Sequence, residues 1–432
     1  MANSKARSIS LLPVLSVNFI GMLGYSIIMP FLVFLVNRFG GNAFIYGVLG
    51  SIYPAFQFFG APILGRWSDT FGRRKILLLS QIGTLVAWFV FLLALYLPIN
   101  TLVEIESKTF GAFAVTLPLV FLFIARAFDG LTGGNVSVAN AYLSDISNDQ
   151  NRKANFGKMA MSSSLGFIIG PSLAGVLGAT QYGETIPVLA AILISFVAVG
   201  LIWFRLPESK TDLVEPGARF SIKRIFSFEH KECYKMKKCE DTSFQGVFKI
   251  KNVPFMLLIY FLTFLGFSFF YGAFPMHALQ ELSWDSLQLG IFFSFLSGLM
   301  IVVQGPLLGY LSKKFSDASL VVFGSFSLVA NFCLMATGNE ALIYAGAFLF
   351  ALGNGLMWPS FLSLLSKLGG EKQQGSVQGV ANSSGSLASI IGLILGGYLY
   401  ETLNSATFFL TAGILAIIFF LSFRLLKMSS PG

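Results

Sequence analysis

Twelve apolar runs, each near the roughly 17–25 residues needed to cross a bilayer as a helix, decide what this chain can fold into. They lie near 11–36, 44–65, 76–97, 116–143, 158–180 and 187–204, and then near 253–273, 287–309, 319–337, 342–365, 376–400 and 407–426. Hydrocarbon offers the backbone no hydrogen-bond partner, so each run must satisfy its own amides and carbonyls by forming a helix. Composition points the same way: 55% of the residues are hydrophobic and 11% charged, against about 25% charged in soluble domains. Lipid must cover that surplus of apolar surface. The expected fold is an all-α polytopic membrane protein. The first run follows a basic stretch, residues 1–10; it is too long for a signal-peptide core and no small-residue cleavage site follows it, so it is read as a retained span.

The net charge is +9, but its distribution argues against a nucleic-acid partner. Alternate turns between spans carry Arg66, Arg73, Arg74, Lys75, Arg152, Lys153, Lys313, Lys314, Lys367 and Lys372, whereas the opposite turns carry only the cations Arg38 and Lys108. By the positive-inside rule both termini face the cytoplasm. One long polar stretch, 205–252, reads as a cytosolic linker between a first half, 1–204, and a second half, 253–432. The cysteines Cys233, Cys239 and Cys333 are too few for a disulfide framework. His230 lies near Cys233 and Cys239, but their spacing fits no standard zinc site, and no metal is expected.

An internal repeat supports two related halves. Ala61-Pro-Ile-Leu-Gly-Arg-Trp-Ser68 matches Gly305-Pro-Leu-Leu-Gly-Tyr-Leu-Ser312 at an offset of 244. Ser162-Ser-Ser-Leu-Gly-Phe-Ile-Ile-Gly170 matches Ser384-Gly-Ser-Leu-Ala-Ser-Ile-Ile-Gly392 at an offset of 222. Each match pairs a span with the span six later, and the long turn between spans 3 and 4 absorbs the difference. Twelve helices in two six-helix pseudo-repeats account for this pattern.

Arg126 and Asp129 are the only charged residues placed deep inside a span. An ionisable group at that depth is costly, which makes it a functional candidate. On one continuous helix, positions 126, 129, 130, 133, 137 and 140 share a face that must turn away from lipid. Two readings stand: Arg126 assists proton transfer or holds an anionic group with Asp129 as partner or proton carrier, or the two form a structural ion pair. Gly65 permits close helix approach, and Gly72 a sharp turn before the cations Arg73, Arg74 and Lys75. Gly166, Gly170, Pro171 and Gly175 give span 5 a small-residue face, and the proline removes a backbone donor and permits a bend. Asn18, Tyr25, Gln57, Tyr271, Gln304, Asn354 and Trp358 either line a substrate path or satisfy local backbone groups. His277, near the outer end of span 7, reads as an interfacial residue or a group titrating with external pH.

These segments carry a resemblance. Gly65-Arg-Trp-Ser-Asp69-Thr-Phe-Gly72-Arg73-Arg74-Lys75 resembles the loop between spans 2 and 3 of the major facilitator superfamily, and Arg126-Ala-Phe-Asp-Gly130-Leu-Thr-Gly-Gly134 its fourth-span motif. Gly166-Phe-Ile-Ile-Gly170-Pro171-Ser-Leu-Ala-Gly175 resembles the fifth-span motif of drug:proton antiporters, and Leu23-Gly24 with Pro30 the first-span signature of their twelve-helix branch. Asp129-Gly-Leu-Thr-Gly133 and Ala141-Tyr-Leu-Ser-Asp145 are similar to the tetracycline-efflux-like group. The resemblance implies the major facilitator fold and proton-coupled efflux of a small organic molecule by alternating access. It implies that Asp69 and the arginines form ion pairs, with Asp145 as a partner, that latch one state, and that the span-5 motif shapes access to the cavity. The alternatives are a facilitator or proton symporter importing a metabolite, and a transport-inactive receptor or scaffold.

No enzyme is expected, because no nucleophile, metal cluster or acid pair lies at membrane depth, and no Gly-x-x-x-x-Gly-Lys-Ser/Thr loop is present for ATP. The expected partners are the bilayer, a small-molecule substrate and protons, for a monomer with no cofactor and a proton gradient as energy source. A bacterial inner membrane suits the motifs, and a eukaryotic plasma or organellar membrane is compatible. Three departures stand out: Gly21 where many tetracycline exporters carry an aspartate, Lys313 in the place of Asp69 in the second half, and Leu393 in that of Pro171.

Overall fold

The computed structural model describes residues 11–133, 135–147, 152–209, 244–368 and 370–429. Most of the 205–252 linker, with His230, Cys233 and Cys239, lies outside the described residues. Among the described residues, eleven stretches are long and apolar enough to cross a membrane. The last of them, Gly379–Lys427, holds the ends of two helices, Gly370–Leu403 and Thr407–Ser429, separated by a 3-10 turn at Asn404–Ala406. The chain is a multi-pass membrane protein whose helices accommodate twelve passes.

The spans, in chain order, are as follows. Span 1 is Leu12–Ser26 with Met29–Arg38, and it breaks just ahead of Pro30, which has no amide proton to give the helix. Span 2 is Ala43–Phe71, span 3 Arg73–Tyr96, and span 4 Leu117–Thr132 with Asn135–Asp145. Spans 5 and 6 are Arg152–Gly178 and Thr185–Arg205. A short helix, Phe244–Lys249, leads into span 7, Val253–Gln280. Span 8 is Ser286–Val302 and Leu308–Leu311 joined by a π turn, Val303–Leu307, around Pro306. Spans 9 and 10 are Asp317–Met335 and Glu340–Leu368, and spans 11 and 12 are the two helices named above.

The turn between spans 3 and 4 adds the one pair of strands among the described residues. β1 (Thr101–Ser107) and β2 (Gly111–Thr116) form an antiparallel hairpin. Val103, Ile105, Phe113 and Val115 give it β-branched and aromatic residues in alternation, and Gly111 takes a positive φ of 74° where β2 begins. The bundle therefore has a hairpin face and an opposite terminal face, where span 1 begins and span 12 ends.

Packing follows the repeat. Span 1 packs on 5, 2 on 4, and 3 on both 4 and 6; span 7 packs on 11, 8 on 10, and 9 on both 10 and 12. Spans 2 and 11, and spans 5 and 8, make the seam between the halves. There the backbones touch. A Cβ on Gly47 would overlap the Leu393 carbonyl, one on Gly397 the Ala43 carbonyl, and Gly175 and Gly290 exclude side chains from each other in the same way. All four glycines lie towards the hairpin face. Nearer the terminal face, a Cβ on Gly65, Gly305, Gly309 or Gly379 would meet nothing within 4 Å among the described residues. The halves thus converge at the hairpin face and part towards the terminal face. Gly65, expected to permit close approach, has open space around it in this conformation.

Candidate functional site

Span 4 carries the central charges. Leu122, Ala125, Arg126, Asp129 and Gly130 recur at helical spacing and are all buried. Arg126 is 3% exposed and its Nη1 lies 3.5 Å from Asp129 Oδ2, a loose i,i+3 ion pair. The helix ends at Thr132, so the face drawn over one continuous helix stops there; Ser137 and Asn140 belong to a separate segment. Gly133 closes the turn by donating its amide to the Asp129 carbonyl at 2.6 Å.

Aromatic rings hold the guanidinium. Its carbon sits 4.8 Å from the Tyr53 ring centroid and 5.7 Å from that of Tyr25, and the two rings are 4.6 Å apart. A cation shielded from water gains about 2 kcal/mol from such a face. Gln57 donates to Tyr53 Oη at 3.2 Å and to the Gly133 carbonyl at 2.8 Å, which ties span 2 to the break in span 4. Behind the pair, Ile28, Ala87, Trp88, Phe91, Ala125, Arg126 and Asp129 line a small void of about 10 Å³. Arg126 Nε and Trp88 Nε1 are buried without a hydrogen-bond partner among the described residues.

The other candidates separate. Tyr25 and Tyr271 both approach Phe167, at 6.4 and 6.5 Å between centroids, so a chain of rings from spans 1, 5 and 7 leads away from Arg126 through Tyr25. Trp358 stands apart in the second half with Tyr260 and Phe264, at 5.2 and 5.3 Å. Asn354 is half-buried and its Oδ1 has no partner among the described residues. Gln304 lies in the π turn of span 8. Asn18 is spent on packing: it donates to the Met159 carbonyl at 3.2 Å and to Ser163 Oγ at 2.7 Å, joining spans 1 and 5. His277 is 1% exposed, its Nδ1 3.4 Å from Tyr400 Oη and its ring against Phe408. That burial replaces the interfacial placement expected for it.

Gly166 and Gly170 let span 5 press on span 1: a Cβ on Gly166 would meet the Phe19 carbonyl at 2.5 Å, and one on Gly170 the Ile27 amide at 2.9 Å. Gly175 meets span 8 instead. The helix runs uninterrupted through Pro171.

At the terminal face Arg73 is 1% exposed, with Nε 2.9 Å from Asp145 Oδ2 and Nη1 2.5 Å from Ser68 Oγ. Glu208, just past span 6, accepts from the Arg73 amide at 2.8 Å and the Arg74 amide at 3.2 Å, an acid at a helix N-terminus. Its carboxylate occupies the space a side chain on Gly72 (φ 101°) would fill. Arg74 donates to the Trp203 carbonyl at 2.5 Å. The side chain of Asp69 lies outside the described residues.

A second ion pair occupies the matching place in the other half. Asp317 stands 244 residues after Arg73, and Lys367 stands 222 after Asp145. Lys367 Nζ lies 2.8 Å from Asp317 Oδ2. The repeat conserves the bridge and reverses its charges, which the offsets alone make legible. Tyr53, Trp88 and Glu208 carried no such signal, because none belongs to a polar pattern within an apolar run.

The sequence pattern of the Major Facilitator Superfamily matches residues 14–330 and 256–432. The chain belongs to that family. It is 24% identical over 421 residues to the tetracycline resistance protein, class E, of Escherichia coli, covering 96% of this chain and 93% of that one. It is 24% identical over 391 residues to major facilitator superfamily domain-containing protein 10 of Mus musculus, covering 88% and 78%. The crystal structure of the human organic anion transporter MFSD10 (TETRAN) superposes with a TM-score of 0.67 at 20% identity, over 97% of this chain and all of that one. The family's members and fold are those of membrane transporters, not enzymes.

Proposed function

We propose that this transporter exports a small organic molecule in exchange for protons, with Asp129 as the group for which proton and cargo compete. The observation that carries the reading is the Asp129 carboxylate, buried in span 4 and paired only loosely with Arg126. A cargo donor group on Asp129 keeps a proton off, and a proton keeps the cargo off. That exclusivity is what an exchange requires, since the two species must bind the same state alternately. Arg126, steadied by Tyr25 and Tyr53, takes an electronegative group of the cargo. The cargo is then a molecule presenting both kinds of group, a class in keeping with relatives named for tetracycline resistance and for organic anions.

The terminal face is the cytoplasmic one in this reading, because the excess of Lys and Arg lies there. The splayed seam then describes the state that loads from the cytoplasm, and the Arg73–Asp145–Glu208 network joins the ends of spans 3, 4 and 6 on that side. The family's alternating access supplies the opposite state.

Binding of radiolabelled tetracycline, and of a fluorescent organic anion, to purified protein across pH 5–9 tests the competition. Affinity should fall as pH falls in the wild type and become flat in Asp129→Asn. A wild-type affinity independent of pH, for a ligand that binds and is transported, would remove Asp129 from the coupling.

A further inference from the structure

We propose that the tip of the hairpin and Glu401 form the lock of a gate on the hairpin face, making Glu401 a positioning residue of the transport cycle. The inference rests on alternating access and not on proton exchange.

The hairpin is anchored to its own half. The Ala114 amide donates to the Gly40 carbonyl at 2.8 Å, Thr116 Oγ1 to the Phe39 carbonyl at 2.8 Å, and Asn42 Nδ2 to the Phe110 carbonyl at 2.7 Å. Its tip reaches the other half. Phe110 stacks on Phe44 of span 2 at 4.6 Å between centroids and meets Tyr398 of span 11 edge-on at 6.0 Å. Beside it, Gly111 leaves open the space into which the Glu401 carboxylate enters; a Cβ there would overlap Glu401 Oε1.

Glu401 makes the bond that depends on closure. Its Oε2 accepts from the Ala43 amide at 3.1 Å, while Asn42 Oδ1 accepts from the Ile45 amide at 3.1 Å. The first free amides of span 2 are thus capped by one residue of its own half and one of the opposite half. A carboxylate is favoured there by the helix dipole as well as by the hydrogen bond. That cap exists only while spans 2 and 11 are together. Directly below it the Gly47–Gly397 contact seals the backbones, and Tyr46 Oη donates to the Tyr271 carbonyl at 3.3 Å.

Among the described residues, the other side of the seam shows no such bond between the halves. The repeat places Ala179 where Glu401 stands and Leu287 where Ala43 stands. Span 8 is capped within its own half, by Asp285 accepting from the Gln288 amide at 2.8 Å. Between spans 5 and 8 the seam rests on the Gly175–Gly290 contact. The hairpin face is therefore joined on one side by polar bonds that water can replace, and on the other by packing, with Gly175 against Gly290 and Ser286 Oγ close to Gly178.

The test uses the full chain with Cys233, Cys239 and Cys333 changed to serine, and a reporter, Gly50→Cys. A Cβ at Gly50 sits 3.7 Å from Leu393 Cδ2, so the reporter fits below the lock. In sealed vesicles of known sidedness, with no substrate or gradient, a membrane-impermeant maleimide is applied from the hairpin side. Glu401→Ala should speed labelling about tenfold, with Glu401→Gln between it and wild type, because an amide oxygen still accepts but carries no charge. In a second protein, Gly111→Ala places a Cβ where the Glu401 carboxylate sits and leaves Glu401 itself unchanged. It should speed labelling in the same direction as Glu401→Ala, while Gly183→Ala, whose Cβ would meet nothing within 4 Å among the described residues, should leave it at the wild-type rate. Equal labelling rates for Glu401→Ala and wild type, or a Gly111→Ala rate no faster than that of Gly183→Ala, would overturn the lock. Because neither arm needs cargo or protons, failure here is distinct from failure of the exchange reading.

Discussion

The two halves share a packing plan and differ in where they put charge. In the first half Arg73 is buried, bound at once to Asp145 and Ser68, with Glu208 capping the same helix end. In the second half the matching bridge has its signs exchanged and lies in the open, with the Lys367 side chain 66% exposed. The contrast deepens at membrane depth. Arg126 and Asp129 have as their repeat counterparts Phe348 and Ala351. A duplicated bundle needs a bridge at that corner of each half for its shape, so the bridge persists with either polarity. In the proposed reading the buried charges serve a task that one copy suffices to perform; the other half gathers the rings of Tyr260, Phe264 and Trp358 instead.

Removing the charge unique to the first half breaks the comparison most severely. Arg126→Ala is expected to lower transport about 100-fold with normal membrane insertion, since losing one partner of a desolvated charge pair costs about 2–5 kcal/mol. Uptake into inverted vesicles, normalised to protein, checks it. Next in size is the contrast between the corner bridges. Arg73→Ala should destabilise the purified protein by about 3 kcal/mol, as breaking a buried pair does, whereas Lys367→Ala should cost less than about 1 kcal/mol. Denaturation midpoints of the two variants side by side decide it; equal losses would mean that the two bridges are equivalent after all.

Smaller effects sharpen the picture. Tyr53→Ala should weaken cargo affinity about tenfold by removing a ring from Arg126, about 1–2 kcal/mol of cation–π contact. Tyr53→Phe, which keeps the ring and loses only the Gln57 bond, should change it about twofold or less. Smallest of all, exchanging the exposed pair as Asp317→Lys with Lys367→Asp should leave transport within twofold of wild type. The corresponding exchange, Arg73→Asp with Asp145→Lys, should not be tolerated, because lysine cannot reproduce the fork that reaches Asp145 and Ser68 together.

Much of this was legible in the sequence because hydrocarbon leaves so few options. Runs of the right length had to be helices, the Arg/Lys asymmetry separated the two faces, and the repeat offsets paired each span with its counterpart. Arg126 and Asp129 stood out because charge at that depth is rare. The hairpin stayed hidden: the segment 101–116 is short, half-polar and lies outside any span, so hydropathy passes over it. Asn18, Tyr25 and Gln57 looked alike as polar residues within apolar runs, yet Asn18 is consumed by span 5 while Tyr25 and Gln57 gather around Arg126. That sorting depends on helix rotation and on the break at Gly133, neither of which spacing alone supplies. Glu208 and Glu401 were unreadable for a related reason, since each caps a helix distant in sequence.

The measurement that bears most directly on the central claim is proton movement in proteoliposomes carrying a pH-sensitive dye in the lumen, with tetracycline and a panel of organic anions as cargo. The account predicts cargo-dependent proton flux opposite to the cargo in the wild type. In Asp129→Asn that flux should be absent while counterflow exchange of cargo persists. Cargo counterflow without any proton movement in the wild type, unchanged by Asp129→Asn, would contradict it and leave a facilitator whose buried pair in span 4 serves the fold alone.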